Sequence, residues 1–258
     1  MISKSKIKFI HSLEQKKFRN AENSFVAEGH KLVGELLSAG HKPSYICSTE
    51  TWIRNNPNVT IDDVVTDDEL RKASLLQHPQ QVLAIFPLPE WETPTPEELS
   101  TQLTLMLDGV QDPGNLGTIC RLADWFGIEH IICSTDTADI FNPKATQATM
   151  GAISRVQVHY KELCEFLNHL NHLNHLNHQS VPVYGTFLDG RNIYERPLSP
   201  NGIILMGNEG KGISKEVAQF VTDRLYIPNY PAQRETTESL NVAVATAITC
   251  AEFRRRMM

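Results

Sequence analysis

The sequence predicts an α/β protein in two parts, a small α/β domain followed by a larger one built on a mostly parallel sheet. Three observations carry this. Short apolar runs alternate with helix-like stretches along the chain. Residues 87–98 (PLPEWETPTPEE) hold four prolines and four glutamates, so they can continue neither a helix nor a central strand. Glycine-bearing segments follow several of the later apolar runs, where an open parallel sheet places its ligand loops.

Before the proline-rich segment, apolar runs at 24–27, 45–47 and 82–86 read as strands, and 30–39 and 67–76 carry helical periodicity. This sets a first domain at 1–87, a linker at 88–102 and a second domain at 103–258. In the second domain, runs at 104–107, 130–133, 181–184, 203–206 and 224–227 read as strands buried on both faces and joined by helical crossovers. Asp108-Gly109, Gly185-Thr186 and Gly207-Asn208 follow the first, third and fourth of these runs.

At 168–178 an Asn-His-Leu repeat of period three places histidines at 169, 172, 175 and 178. The expected form is a helical extension at the surface, with Leu167, Leu170, Leu173 and Leu176 partly packed. Imidazoles at i, i+3 could hold a metal ion, but no carboxylate or cysteine joins the pattern, and no metal site is expected.

With 258 residues, 41% of them apolar, the chain can supply a core for each domain. No stretch approaches the ~18 consecutive apolar residues of a membrane span, and the N-terminus lacks an apolar run followed by a cleavage site. A cytoplasmic protein without a membrane partner is expected. Five scattered cysteines without a C-x-x-C pair read as reduced thiols, mostly buried. The net charge of −6 argues mildly against nucleic acid. Its distribution can rescue that partner, because Lys4, Lys6, Lys8, Lys16, Lys17 and Arg19 cluster near one end and Arg254, Arg255 and Arg256 at the other. Either group can equally be an ordinary solvated helix face.

Three segments stand out. The first, LDGVQDPGNLGTICR (107–121), runs from strand through a Pro-Gly turn into a helix, with Asn115 near the helix start and Arg121 six residues on. The second, IILMGNEGKGIS (203–214), ends a buried strand in a glycine-rich loop that lets backbone approach a ligand closely. It satisfies neither G-x-x-x-x-G-K-[ST] nor G-x-G-x-x-G, which removes the main support for triphosphate binding and for a dinucleotide-dependent oxidoreductase. The third is Ile227-Pro228, followed after a polar loop by SLNVAVA (239–245), which feeds a terminal helix of small residues. Ser239 suits an N-cap there, leaving Asn241 unexplained by helix chemistry.

In this order the three segments, N-L-G-x-x-x-R, then G-x-E-G-x-G, then I-P followed by S-L-N-V, resemble the signature motifs of the SpoU (TrmH) branch of the SPOUT superfamily of RNA methyltransferases. Phe18-Arg19, Phe25 and Glu28-Gly29-His30-Lys31-Leu32 are similar to the RNA-binding domain of the same family, a fold related to ribosomal protein L30e. The resemblance implies a catalytic domain with a deep trefoil knot, a rare exception to un-knotted folds. It also implies a homodimer packed through that domain, and S-adenosylmethionine-dependent methylation of a ribose 2′-hydroxyl in structured ribosomal or transfer RNA. It assigns cofactor contacts to Thr186, Met206, Gly207, Ile227 and Leu240, and catalytic roles to Arg121, Asn115, Glu209, Ser239 and Asn241.

Arg121 is either the base for the hydroxyl or a clamp on the neighbouring phosphate. A guanidinium with a pKa above about 12 favours the clamp. Asn115, Glu209, Ser239 and Asn241 are expected to orient the ribose, Arg121 and the loops, and their presence argues against a non-catalytic RNA binder. The loop 229–238 is longer than the family's usual connection and begins with Asn229 where Met is common, which makes Leu240 the less secure cofactor contact.

Overall fold

The computed structural model describes residues 2–177, 180–231, 237 and 239–257, so His178 of the repeat tract and much of the loop before Ser239 lie outside the described residues. Elements run in chain order as α1 (Lys4–Ser12), α2 (Lys16–Ala21), β1 (Ser24–Glu28), α3 (His30–Ser38), β2 (Tyr45–Ser48), α4 (Glu50–Asn55), β3 (Asp63–Val64), α5 (Asp67–Ala73) and β4 (Val82–Pro87). They continue with α6 (Pro96–Thr101), β5 (Leu103–Asp108), α7 (Pro113–Trp125), β6 (His130–Ser134), α8 (Pro143–Thr149), β7 (Gln157–Lys161) and α9 (Leu163–Asn177). The last are β8 (Val183–Asn192), β9 (Gly202–Gly207), α10 (Lys215–Ala218), β10 (Asp223–Tyr226) and α11 (Val242–Arg255).

The chain forms two compact units, residues 1–90 with 139–155, and residues 91–138 with 156–258. The first is therefore not one continuous stretch ending at the linker. It borrows 139–155 from within the second domain's sequence. Two contacts explain the loan: Phe141 packs its ring 4.8 Å from that of Phe25, and Asp139 pairs with Arg19 at 2.5 Å. Arg19 also donates to the carbonyls of Leu13 and Glu14 at 2.8 and 2.7 Å, with only 2% of its surface exposed. The sequence placed Arg19 in a basic surface cluster; its guanidinium is instead a buried structural group. Arg19→Ala leaves a carboxylate and two carbonyls without their donor and is expected to cost about 3–5 kcal/mol of stability in urea unfolding. A loss below about 1 kcal/mol would mean that water replaces the pair.

The first unit carries a four-stranded sheet ordered β1-β4-β2-β3, with β4 antiparallel to both β1 and β2. Helix α5 starts on a capping box between Thr66 and Glu69 but stops at Ala73, three residues before the periodicity ends. The buried carboxylate of Glu28 accepts from the Ser74 hydroxyl and, at 2.8 Å, from the Leu75 amide, which draws the chain out of the helix. Burial raises the pKa of this carboxyl.

The second unit holds a six-stranded, all-parallel sheet ordered β10-β8-β9-β5-β6-β7. The order reverses between β5 and β9, so the loops leaving those two strands flank the crevice where such sheets bind ligands. Strand β7 was not expected, because polar Gln157, His159 and Lys161 alternate with Val158 and Tyr160 and it forms no continuous apolar run. It is an edge strand. Helix α9 covers the sheet through Leu163, Leu167 and Leu170, which pack with Met106, Ile132 and Leu205. A three-residue repeat turns about 300° on a helix, so each leucine lags the last by about 60°. Leu167 and Leu170 are accordingly buried, Leu173 is intermediate and Leu176 is exposed.

Helix α11 packs on α7, and its C-terminal arginines are engaged by neighbouring acceptors, Arg254 on the end of α7 and the other two on α11 itself. Arg254 donates to the carbonyls of Phe126 and Gly127 at 2.7 and 2.9 Å, satisfying the end of α7. Glu252 binds both Arg255 and Arg256, which hold its carboxyl down to about 2, chiefly through the Arg255 hydrogen bond. Of the five free cysteines, all but Cys164 are buried. No helix among the described residues is long and apolar enough to cross a membrane, and none of their His, Cys, Asp and Glu side chains form a group of three or more suited to a metal ion.

Candidate active site

Helix α7 begins with Asp112, whose carboxylate accepts the Asn115 amide N–H at 2.8 Å, and Pro113 follows at the first helical position. The capping task thus belongs to Asp112, and the Asn115 side chain is left for other work. Its Nδ2 donates to Glu209 Oε1 at 2.8 Å, and its Oδ1 accepts from Asn241 Nδ2 at 3.0 Å. Asn241, not Ser239, caps α11, its Oδ1 accepting from the amides of Ala243 and Val244. Each of the three motif segments therefore contributes one member of a single hydrogen-bonded chain, Glu209–Asn115–Asn241.

Glu209 is held in place by a tight turn. Asn208 and Gly212 exchange both backbone hydrogen bonds, and the Asn208 side chain accepts from the amides of Gly210 and Lys211 at 3.0 Å each. Its Nδ2 donates to the Gly109 carbonyl at 2.7 Å, joining this loop to the one leaving β5. Asp108 adds a second tie by accepting the Ser214 amide at 2.7 Å. The buried Ser134 hydroxyl accepts the Gly109 amide at 2.8 Å. Sequence reasoning missed Asn208, Asp108, Asp112 and Ser134 as organisers. For Asn208 and Asp108 the available signal was a short polar side chain beside glycine, and for Asp112 one just before proline, both of which favour side-chain-to-backbone turns; Ser134 carries no such signal.

The proposed cofactor contacts gather differently. Gly207 and Ile227 stand at the carboxyl ends of β9 and β10, and Thr186 lies within the neighbouring β8, one residue past the end of its pairing with β9, where its hydroxyl donates to Met206 Sδ at 3.7 Å. Pairing of β8 with β9 stops at Gly185–Leu205, whereas β5 follows β9 to Asp108–Gly207, so Met206 and Gly207 have no ladder partner on the β8 side. The break arises because residues 186–190 loop out between the Gly185–Arg224 and Arg191–Leu225 pairs. Arg224 secures that loop, its guanidinium lying 3.5 Å from the centre of the Phe187 ring and 2.5 Å from Asp189. Backbone groups beside a hydroxyl, a thioether and an apolar side chain suit an adenosyl group, so the residues fit S-adenosylmethionine. Leu240 and Ser239 are exposed, and neither is joined to the hydrogen-bonded chain by a bond among the described residues. Arg121 is also exposed on α7, with no hydrogen bond or ion pair to another described residue. Six residues past Asn115, it lies on a different face of the helix.

Comparison with known proteins places this geometry. The model of the SpoU rRNA methylase family matches residues 102–251. The chain belongs to that family. It is an RNA 2′-O-ribose methyltransferase whose methyl donor is S-adenosylmethionine. Residues 4–84 match a second model, the MRM3-like substrate binding domain. The 23S rRNA (guanosine(2553)-2′-O)-methyltransferase RlmP of Bacillus subtilis is 34% identical, over 94% of this chain and 93% of its own length. Among solved structures, a TrmH-family protein from Porphyromonas gingivalis is 41% identical with a TM-score of 0.84, covering 99% of each chain. An AdoMet-bound rRNA methyltransferase from Sinorhizobium meliloti is 29% identical with a TM-score of 0.83, over 100% of this chain and 97% of that one.

Proposed function

We propose that this member of the SpoU family methylates a ribose 2′-hydroxyl of large-subunit ribosomal RNA. The observation that carries the proposal is the Glu209–Asn115–Asn241 chain, one residue from each motif segment, beside the open end of β9. The likeness to RlmP over nearly the whole chain supports 23S rRNA over transfer RNA. The first unit, carrying the substrate-binding match and read as an L30e-like domain over 1–87, holds the RNA. Residues 103–258, apart from the 139–155 segment that joins the first unit, form the knotted catalytic domain, and the enzyme works in the cytoplasm.

Thr186, Met206, Gly207, Ile227 and Leu240 hold the cofactor, which when bound supplies a methyl group made electrophilic by its sulfonium. Asn115 acts as a positioning residue: Glu209 and Asn241 fix its amide at both ends, so it does not reorient when the ribose arrives. Ser239 orients the loop entering α11. Arg121 grips the phosphate next to the target ribose and stabilises negative charge developing on O2′. A guanidinium already carries its proton and has no acceptor site, so it does not take the hydroxyl proton, which passes to solvent water as the methyl group moves from sulfur to O2′.

Arg121 and Trp125 lie four residues apart on one side of α7, and Trp125 is 84% exposed. Together with exposed Val244 on α11, this surface supports a homodimer through the catalytic domain that brings Arg121 to the partner's site.

The direct test incubates the protein with methyl-labelled S-adenosylmethionine and unmodified 23S rRNA transcript, with transfer RNA in parallel, and maps 2′-O-methylation by resistance to alkaline cleavage. Label at one ribose of the 23S transcript is expected. Label confined to transfer RNA would overturn the ribosomal assignment.

A further inference from the structure

A cavity of about 440 Å³ opens within the first unit, between the turn after α1, the segment following α5, and α8 with its preceding turn. It belongs to none of the motif segments, and residues 142–148 of its wall lie outside the stretch matched as a substrate-binding domain. Leu75, Pro143 and Ala148 give it apolar walls. Three side-chain amides, Gln77, Asn142 and Gln147, line it as well, with one carboxylate, Glu14, and one ammonium, Lys144.

This lining does not suit a phosphate. One acid offsets one base, and phosphate binding depends on net cationic charge. It does suit a nucleobase, whose faces pack on apolar side chains while its edges present donors and acceptors that amides can match. A carboxylate then gains a role, because it accepts from an exocyclic amino group. Asn142 Oδ1 already accepts the Lys144 amide at 2.9 Å, so Asn142 offers its NH₂ to an acceptor on the base. The volume lies within the range of small-molecule sites, with room for a nucleoside.

Resting on the rRNA reading above, we propose that this cavity takes an unpaired nucleobase of the RNA substrate, other than the nucleotide that is methylated. The site reads a base flipped from a loop or bulge, which is where sequence information in RNA is accessible. It gives the first unit a means of selecting its RNA by base and not by phosphate charge alone.

The test measures binding of protein-free 23S rRNA to the full chain across a salt series, for the unaltered protein and for Gln147→Trp and Gln77→Trp, each of which fills the cavity. Expected are losses of at least tenfold in RNA affinity, an unchanged salt slope, and unchanged S-adenosylmethionine affinity by calorimetry. Gln77 is exposed, so its replacement remains informative if Gln147→Trp fails to fold. A loss smaller than tenfold in every folded variant overturns the proposal and leaves the rRNA reading standing. A slope reduced by about 0.7 per lost contact would identify a phosphate and overturn the base assignment. Failure of the unaltered protein to bind 23S rRNA would overturn the rRNA reading itself and this site with it.

Discussion

Replacing Arg121 by alanine is expected to lower the rate of methyl transfer by about 10²–10³-fold while leaving S-adenosylmethionine affinity unchanged. The guanidinium is exposed on α7 and makes no bond to another described residue, so its loss disturbs neither the cofactor residues nor the fold. Its contribution appears only when RNA supplies a phosphate and a developing alkoxide. Single-turnover transfer at saturating RNA separates the two parts of that role. A fall in rate at saturation reports stabilisation of charge on O2′, whereas a change only in the RNA concentration needed reports a grip on the phosphate alone. Arg121→Lys keeps the charge but loses the planar fork, and should recover less than about a tenth of the lost rate if bidentate binding matters. A rate within threefold of the unaltered enzyme for Arg121→Ala would remove Arg121 from the mechanism.

How legible these features were in the sequence depended on how local their causes are. The central strands announce themselves as apolar runs because both faces of the sheet are covered, and 104–107 and 203–206 fall within β5 and β9. Strand β7 hides because an edge position tolerates the alternation of Gln157, His159 and Lys161 with apolar residues. The membership of 139–155 in the first unit is not a local property: it rests on Phe141 meeting Phe25 and Asp139 meeting Arg19, partners more than a hundred residues away. The charge argument failed for a different reason, since a count of arginines cannot show that Arg19 and Arg254 spend their donors on carbonyls, whether those lie five or six residues away, as for Arg19, or more than a hundred, as for Arg254. At the site, it was the family resemblance that singled out Asn115, Glu209 and Asn241. Their joint arrangement depends on Asp112 taking the cap of α7 and Asn241 taking that of α11, which no spacing rule distinguishes from caps by Asn115 and Ser239.

The loop after β9 yields the other large effect, and it separates two glycines that look equivalent in the sequence. A Cβ on Gly207 would lie 2.2 Å from both the Gly212 carbonyl carbon and the Ile213 nitrogen, which are backbone atoms and cannot rotate away. Accommodating even alanine forces β9 and the 212–213 segment apart. That breaks the paired hydrogen bonds between Asn208 and Gly212, frees the turn, and withdraws Glu209 from Asn115. A Cβ on Gly210 meets only Asn208 Oδ1, at an ordinary 3.7 Å. Gly207→Ala is therefore expected to weaken S-adenosylmethionine binding at least 100-fold and to cost about 1–3 kcal/mol of stability, the scale of overpacking a filled site. Gly210→Ala should change affinity less than threefold. Calorimetric titration of both variants, with thermal melts to confirm folding, decides the matter. Equal affinities would mean that the loop relaxes around a side chain at 207, and that the close backbone approach there is not what shapes the cofactor site.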